Sequence, residues 1–322
     1  MHTTKELQKK VQDLFENRNY LALPNELYEP IQYSLSQGGK RLRPLLSYLS
    51  CSLFGGNLRE VENPAIGLEI FHNFTLLHDD IMDQSPLRRG QESVYQKWDT
   101  NTAILSGDTM FVIAYEYVAD TNPVILVETL RVFNQTAKEV CEGQQYDMNF
   151  EKEQNITIPD YMEMIRLKTA VLIAAALKIG AIAARASLED KNKIYDFGIL
   201  IGLAFQLRDD YLDAFGNVDT FGKPIGNDIV TNKKTYLYLK AYESADVKTT
   251  ADLNAAFALE DNKEKVQQVL HLYDLLSIKK QTEKMINDLY EQALILLNEI
   301  NRPESEKSVV YEFLFELIKR EV

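Results

Sequence analysis

The chain has 322 residues, 45% hydrophobic and 26% charged, with Gly and Pro sparse at 14 and 9, which suits a helical globular protein able to bury a large core. A formal charge of -13 argues against nucleic acid or an anionic lipid surface as a partner, so a phosphate-bearing ligand needs metal or a local basic patch. Cys51 and Cys141 have no CxxC spacing, Met1 to Lys10 holds no apolar h-region, and the most apolar segment, Ala170 to Ala184, is interrupted by Lys178; no zinc site, disulfide framework, secretion signal or membrane span is expected, and a reducing cytoplasm fits best.

Helical periodicity runs through the chain, and no alternating run is long enough for a sheet, so the expected class is all-α. Lys5 to Glu16 reads as an amphipathic opening helix, and Glu26 to Ser36 as a second one ending at Gln37-Gly38-Gly39. After a basic cluster, Pro44 sits in the first turn of a helix through Leu53 that stops at Gly55-Gly56. Asn63-Pro64, read as N-cap and first helical residue, opens a long helix ending before Ser85-Pro86. Further helices are expected from Asp99 to Val118, from Asn122-Pro123 to about Asp147, and from Pro159 to Ala186. Ser187-Leu188-Glu189-Asp190 resembles a capping box that starts another. Phe215 to Thr235, with three Gly, one Pro and three Lys, reads as a mobile basic loop, and the rest is polar helix with Leu and Ile stripes. No linker, low-complexity segment or repeat appears, so one domain over 1–322 is expected.

Two stretches share one pattern of carboxylates: Asp79-Asp80-Ile81-Met82-Asp83 and Asp209-Asp210-Tyr211-Leu212-Asp213. On a helix, Asp79 and Asp83 project from one face about 6 Å apart, and so do Asp209 and Asp213. A charge run on a helix is ordinarily a solvated face. Here the neighbours Phe71, Phe74, Leu77 and Ile81, and Ile201, Leu203 and Leu207, are apolar, so the carboxylates are expected to line a cavity. If the two helices face each other, that density of like charge is tolerable only with cations between. Hard oxygen ligands without His or Cys at ligand spacing point to Mg²⁺.

The cations supply a counterpart. Gly38-Gly39-Lys40-Arg41-Leu42-Arg43 joins Gly-rich backbone to three basic residues, Arg88 and Arg89 follow the first cluster, and Lys168, Lys223, Lys233 and Lys234 come later. Singly each is a solubilising charge; interleaved with acids in so negative a chain, they describe one anion site held through metal and another held directly. His72 shares a helical face with Asp79, though a lone helix histidine is more often packed core.

In this order and spacing, Gly38-Gly39-Lys40-Arg41-Leu42-Arg43-Pro44, Leu77 to Asp83 with Leu87-Arg88-Arg89-Gly90, Gly143-Gln144 with Asp147, Lys168-Thr169, Phe205 to Asp213, and Gly222-Lys223 through Lys234-Thr235 resemble the trans-isoprenyl diphosphate synthases, or polyprenyl synthetases, over nearly the whole chain. The resemblance implies an isoprenoid-synthase-type helical bundle around a deep central cavity, usually a homodimer. It implies that Asp79, Asp83 and Asp209 hold Mg²⁺ on an allylic diphosphate, with Asp80, Asp210 and Asp213 in support, Asp213 being itself a candidate ligand. Arg88, Lys168 and Lys223 would contact that diphosphate, with Thr169 and Gln206 lining the site and Lys233 and Lys234 as further substrate-binding candidates. Gly39, Lys40, Arg43, His72 and Arg89 would bind isopentenyl diphosphate.

Phe74 and Phe71 lie roughly 7.5 Å and 12 Å along the helix from Asp79, where large rings would form a floor, with the small Thr75 above them. By resemblance to the geranylgeranyl type, a C20 product is expected, with C15 next. Two other readings differ by visible features. A terpene cyclase would resemble this fold but usually carries an Asn/Ser/Glu-type second motif and lacks the Lys40–Arg43 cluster. A non-catalytic subunit would be expected to have lost carboxylates, and none is missing.

Overall fold

The computed structural model describes residues 2–16, 18–216 and 226–318. Apart from one two-residue pairing, the described residues are helical or loop, so the all-α expectation holds. The helices are α1 (Thr4–Glu16), α2 (Asn25–Ser36), α3 (Leu42–Leu53), α4 (Glu62–Met82), a short α5 (Val94–Lys97), α6 (Thr100–Ala119), α7 (Pro123–Lys152), α8 (Ile158–Ile165), α9 (Val171–Ala183) and α10 (Leu188–Phe215). Beyond them come helices Asn227–Val230, Tyr236–Ser244, Val247–Phe257, Asn262–Leu275, Ile278–Glu299 and Glu304–Ile318.

These residues group into two compact units, each discontinuous in sequence. The first comprises Met1–Gln135, Ala175–Ile194 and Asn301–Glu312; the second Thr136–Ala174, Tyr195–Ile300 and Phe313–Val322. In the first unit α4 packs along α6 and against α3. Gly67 of α4 sits against Ala114 and Val118 of α6 and Phe71 against Phe111, while Ile66, Leu68 and Ile70 of α4 and Ala103 and Met110 of α6 are buried as well. Each large side chain removed from water there contributes roughly 1.5–3 kcal/mol. In the second unit the core includes Tyr161, Phe197, Leu207 and Tyr273.

Local signals explain most boundaries. Asp99 accepts from the Thr102 amide at 2.9 Å and starts α6. Thr157 and Asp160 form a reciprocal capping box that starts α8. Ser187 Oγ accepts from the Asp190 amide at 3.1 Å ahead of α10.

Several boundaries differ from the sequence reading, and α7, expected to end at about Asp147, runs to Lys152. α4 begins at Glu62, so Asn63 lies inside it, and its side-chain Nδ2 donates to Asp120 Oδ2 at 2.9 Å; Pro64 is tolerated because no first-turn backbone amide needs an intrahelical partner. α3 begins at Leu42, which places Arg43 in the first turn and Arg41 at the N-cap. The helix expected from Pro159 to Ala186 is broken by a π-helical turn at Arg166–Ala170 and ends at Ala183. A hairpin unforeseen from sequence pairs Leu87–Arg88 with Gln91–Glu92, the positive φ of Arg89 (52°) and Gly90 (76°) making its turn.

Candidate active site

In the first unit the basic loop before α3 turns through left-handed backbone: φ is 77° at Gly38, 122° at Gly39 and 45° at Arg41. Gly39 is required twice over, since a Cβ there would also stand 2.8 Å from Cζ of Arg89. Arg89 donates from Nη1 to the Gly38 carbonyl, which ties the hairpin to this loop. Lys40 is exposed and Arg43 half-buried. Burial, with the charges of Arg43, Arg89, Arg88 and Arg41, holds the His72 imidazole well below its ordinary range, so the ring is neutral at pH 7.

Asp79 is half-buried on the last turn of α4, and Asp83 is exposed at its C-cap, where its amide donates to the Asp79 carbonyl at 2.8 Å. The i,i+4 pair therefore sits on continuous helical backbone. Asp80 points elsewhere: it is 3% exposed and accepts from Nε of Arg88 at 2.9 Å and also from its Nη2. Burial raises its carboxyl above the usual range, and the Arg88 hydrogen bonds oppose that. Asp80 thus fixes Arg88 and the hairpin, whereas Asp79 is only half-buried and Asp83 exposed.

One turn further back, Phe74 stands edge-on to His78, with centroids 4.8 Å apart. Phe71 and Phe111 close around it, with Phe133 against Phe71: Phe71 is 1% exposed, with centroids 5.5 Å from Phe74, 5.6 Å from Phe111 and 5.4 Å from Phe133. Phe71 is backing in the wall and Phe74 its less buried face. Thr75 Oγ1 donates to the His72 carbonyl at 2.8 Å.

In the second unit Lys168 and Thr169 lie on the π-helical turn, a local rewinding that re-aims side chains. Gly143 of α7 lets that turn approach, because a Cβ there would be 2.3 Å from the Lys168 amide nitrogen. Lys168 Nζ donates to Asp147 Oδ2 at 2.6 Å, and Lys233 Nζ lies 4.0 Å from the same oxygen. Burial raises the Asp147 carboxyl, but Lys233 and Lys168 outweigh it and leave the group below its usual range. Thr169 Oγ1 donates to Gln206 Oε1 at 3.1 Å, Gln206 Nε2 donates to Asp210 Oδ1 at 3.1 Å, and the Tyr161 hydroxyl also donates to Asp210. Asp210 is buried, its carboxyl pushed up to about 7 by burial and by Asp228, against the hydrogen bonds from Tyr161 and Gln206. Asp213, 8% exposed, accepts from the Asp228 amide at 3.0 Å. Asp209 is half-buried.

Each cluster thus divides the same way: the second aspartate, Asp80 or Asp210, is bound inward by its own unit, and the first remains partly exposed. Lys234 departs from the sequence reading, because its ammonium donates to the carbonyls of Phe150 at 2.8 Å and of Glu153, at the C-terminal end of α7. A lysine there satisfies orphan carbonyls and the helix dipole, so Lys234 anchors a loop. Lys223 lies outside the described residues. The sequence reading did not single out Glu69, Tyr161 or Phe111, and had Asp147 only as part of the Gly143-Gln144 motif; a lone acid in the apolar stretch Ala65 to Phe71 was the available signal for Glu69.

Among the described residues no three His, Cys, Asp or Glu side chains converge into a metal cage. The donors present are the carboxylates of half-buried Asp79 and Asp209 and exposed Asp83, a set that fits Mg²⁺, which takes one or two carboxylates and completes its shell with water and substrate phosphate.

Residues 24–276 match a family model described as polyprenyl synthetase. The geranylgeranyl diphosphate synthase of Methanosarcina mazei is 42% identical over 222 residues, 68% of each chain. The geranylfarnesyl diphosphate synthase of Natronomonas pharaonis is 38% identical over 265 residues, 74% of this chain and 78% of that one. Among solved structures, a geranylgeranyl pyrophosphate synthase superposes with a TM-score of 0.95 at 42% identity, covering 100% of both chains.

Proposed function

Because the chain belongs to the polyprenyl synthetase family, we propose that it is a prenyltransferase making short all-trans prenyl diphosphates by head-to-tail 1'-4 condensation of isopentenyl diphosphate with an allylic diphosphate. The observation that carries this reading is the basic cluster beside α4: Arg89 donates to the Gly38 carbonyl of the loop that carries Lys40 and Arg43, and His72 lies two helical turns before Asp79. Candidate residues for direct and for carboxylate-mediated binding of diphosphate thus lie in one unit, with His72 and Asp79 on the same helix.

Family members generally use a divalent metal, and Mg²⁺ held by Asp79, Asp83, Asp209 and Asp213 would supply Lewis-acid neutralisation of the leaving diphosphate. Arg88 and Lys168, with Lys223, bind the allylic diphosphate, and Thr169 and Gln206 line that site. As the allylic C1–O bond breaks, its electron pair leaves with the diphosphate, and these cations stabilise the charge that develops. Gly39, Lys40, Arg43, His72 and Arg89 hold isopentenyl diphosphate so that C4 of its double bond attacks C1. A proton then leaves C2 of the isopentenyl unit for the departed diphosphate and restores a double bond. Closure of the loop from Lys223 to Lys234 would exclude water from the carbocation.

The wall at Phe74 supports a short product, C20 before C15. We take the protein to be one domain over 1–322, a homodimer and cytoplasmic; no helix among the described residues is long and apolar enough to cross a membrane. Incubation of purified protein with Mg²⁺, isopentenyl diphosphate and starters of five to fifteen carbons should release inorganic diphosphate and a longer prenyl diphosphate, and failure with every starter overturns the reading. Chromatography of the dephosphorylated product measures its length.

A further inference from the structure

Arg41 stands in the middle of the basic run, yet its side chain is turned inward and is only 10% exposed, unlike that of its neighbour Lys40. Its Nη1 donates to Glu69 Oε1 at 3.0 Å, its Nη2 to the Leu35 carbonyl at 2.5 Å, and its guanidinium carbon lies 4.7 Å above the Phe15 ring. The Glu69 side chain is 2% exposed, on a part of α4 where Ala65, Ile66, Leu68, Ile70 and Phe71 are buried too. Asn73 Nδ2 donates to the Glu69 carbonyl at 2.7 Å, while Glu69 Oε2 has no hydrogen-bond partner.

For packing alone this pair is a poor choice, since an apolar pair of similar volume serves a core at least as well as a buried ion pair. What it does hold is a strained turn. Arg41 adopts φ of 45°, a region unfavourable for a side chain with a Cβ, two residues after the left-handed Gly39. The turn is tied at one end by Arg89 to the Gly38 carbonyl and at the other by Arg41 to Glu69.

We propose that Glu69 is a positioning residue for isopentenyl diphosphate: by anchoring Arg41 it fixes the Gly38–Arg41 turn, and with it the placing of Lys40, Arg43 and Arg89 around the anion. This rests on the proposed prenyl transfer. The test compares wild type with Glu69→Gln, Arg41→Met and the double variant, measuring melting midpoint, kcat, and KM for each substrate. Calorimetric binding of isopentenyl diphosphate alone is measured in parallel.

Glu69→Gln leaves the Arg41 charge unpaired, so it should lower the midpoint and raise KM for isopentenyl diphosphate about tenfold or more, with KM for the allylic substrate within about twofold of wild type. The double variant removes both charges; it should regain the midpoint and keep the raised KM. A double variant with wild-type KM and calorimetric affinity overturns the proposal, as does a KM that only follows the midpoint. If wild type forms no product with any starter, prenyl transfer itself fails. Calorimetry then still decides the positioning role, equal affinities of wild type and double variant for isopentenyl diphosphate overturning it.

Discussion

Phe74 stacks on Phe111, with ring centroids 5.3 Å apart and planes 14° from parallel. That contact fixes the orientation of the ring expected to stop chain growth, because Phe111 is itself wedged against Phe71 at 5.6 Å and Tyr115 at 6.3 Å. Removing the Phe74 ring opens the wall without removing its backing, so Phe74→Ala should lengthen the product by at least one isoprene unit, read by chromatography of the dephosphorylated alcohols. An unchanged product length removes Phe74 as the floor. Phe71→Ala instead takes a ring out of the packed core and should cost about 3–5 kcal/mol in unfolding free energy.

The unequal burial within each acidic cluster predicts unequal kinetics. Asp79 and Asp209 are only half-buried, whereas Asp80 and Asp210 are bound inward to Arg88 and Tyr161. Asp79→Ala and Asp209→Ala should each lower kcat by a factor of about 10² or more while leaving the melting midpoint close to wild type. Asp80→Ala leaves Arg88 without its carboxylate partner and should lower the midpoint as well as the rate. Near-normal turnover in both Asp79→Ala and Asp209→Ala would refute metal bridging by these residues.

The long elements were legible because their signals are local: the amphipathic periodicity of α1, the Asp99 cap of α6 and the Ser187 hydroxyl ahead of α10 all act within a few residues. The carboxylate pattern was legible for the same reason. What escaped depends on contacts far apart in sequence. Four residues around Leu87 to Glu92 are too few to show strand alternation. The π-helical turn at Lys168 is paired with the absence of a side chain at Gly143, which no periodicity records. Arg41 looked equal to Lys40 and Arg43 in the basic run, and partners distant in sequence, Phe15 and Glu69, distinguish it. Lys234 read as a substrate cation until the end of α7 supplied its carbonyl partners.

The two cysteines should react very differently. Cys51 is fully buried at the end of α3, and burial, with a smaller effect from Glu60, pushes its thiol up to about 12. Cys141 is exposed on α7, its thiol raised by partial burial and by Glu142. The thiolate is the reactive form, so iodoacetamide at pH 8.5 should modify Cys141 in the native protein and reach Cys51 only after denaturation. Peptide mass mapping checks this, and native modification of Cys51 would show that α3 opens more readily than its packing implies.

The Asp147 carboxylate gives the second unit an acid-sensitive link. Burial alone would raise its pKa, but Lys233 and the 2.6 Å bond from Lys168 outweigh burial and leave it below the ordinary value. A depressed folded-state pKa means that the unfolded chain binds the proton more readily than the folded one, so protonation favours unfolding. The stabilisation from Asp147 is therefore complete above the unfolded value of about 4 and disappears as pH falls through the lower folded value. With both partners largely buried, Asp147→Asn should cost about 1–3 kcal/mol at pH 7. The difference between wild type and Asp147→Asn, followed by denaturant unfolding from pH 7 to pH 3, should stay constant to about pH 5 and shrink below pH 4. A difference that grows on acidification would place the proton on the folded protein and reverse the assigned direction. Because Lys168 is also proposed to bind the allylic diphosphate, the same substitution should raise KM for that substrate more than KM for isopentenyl diphosphate.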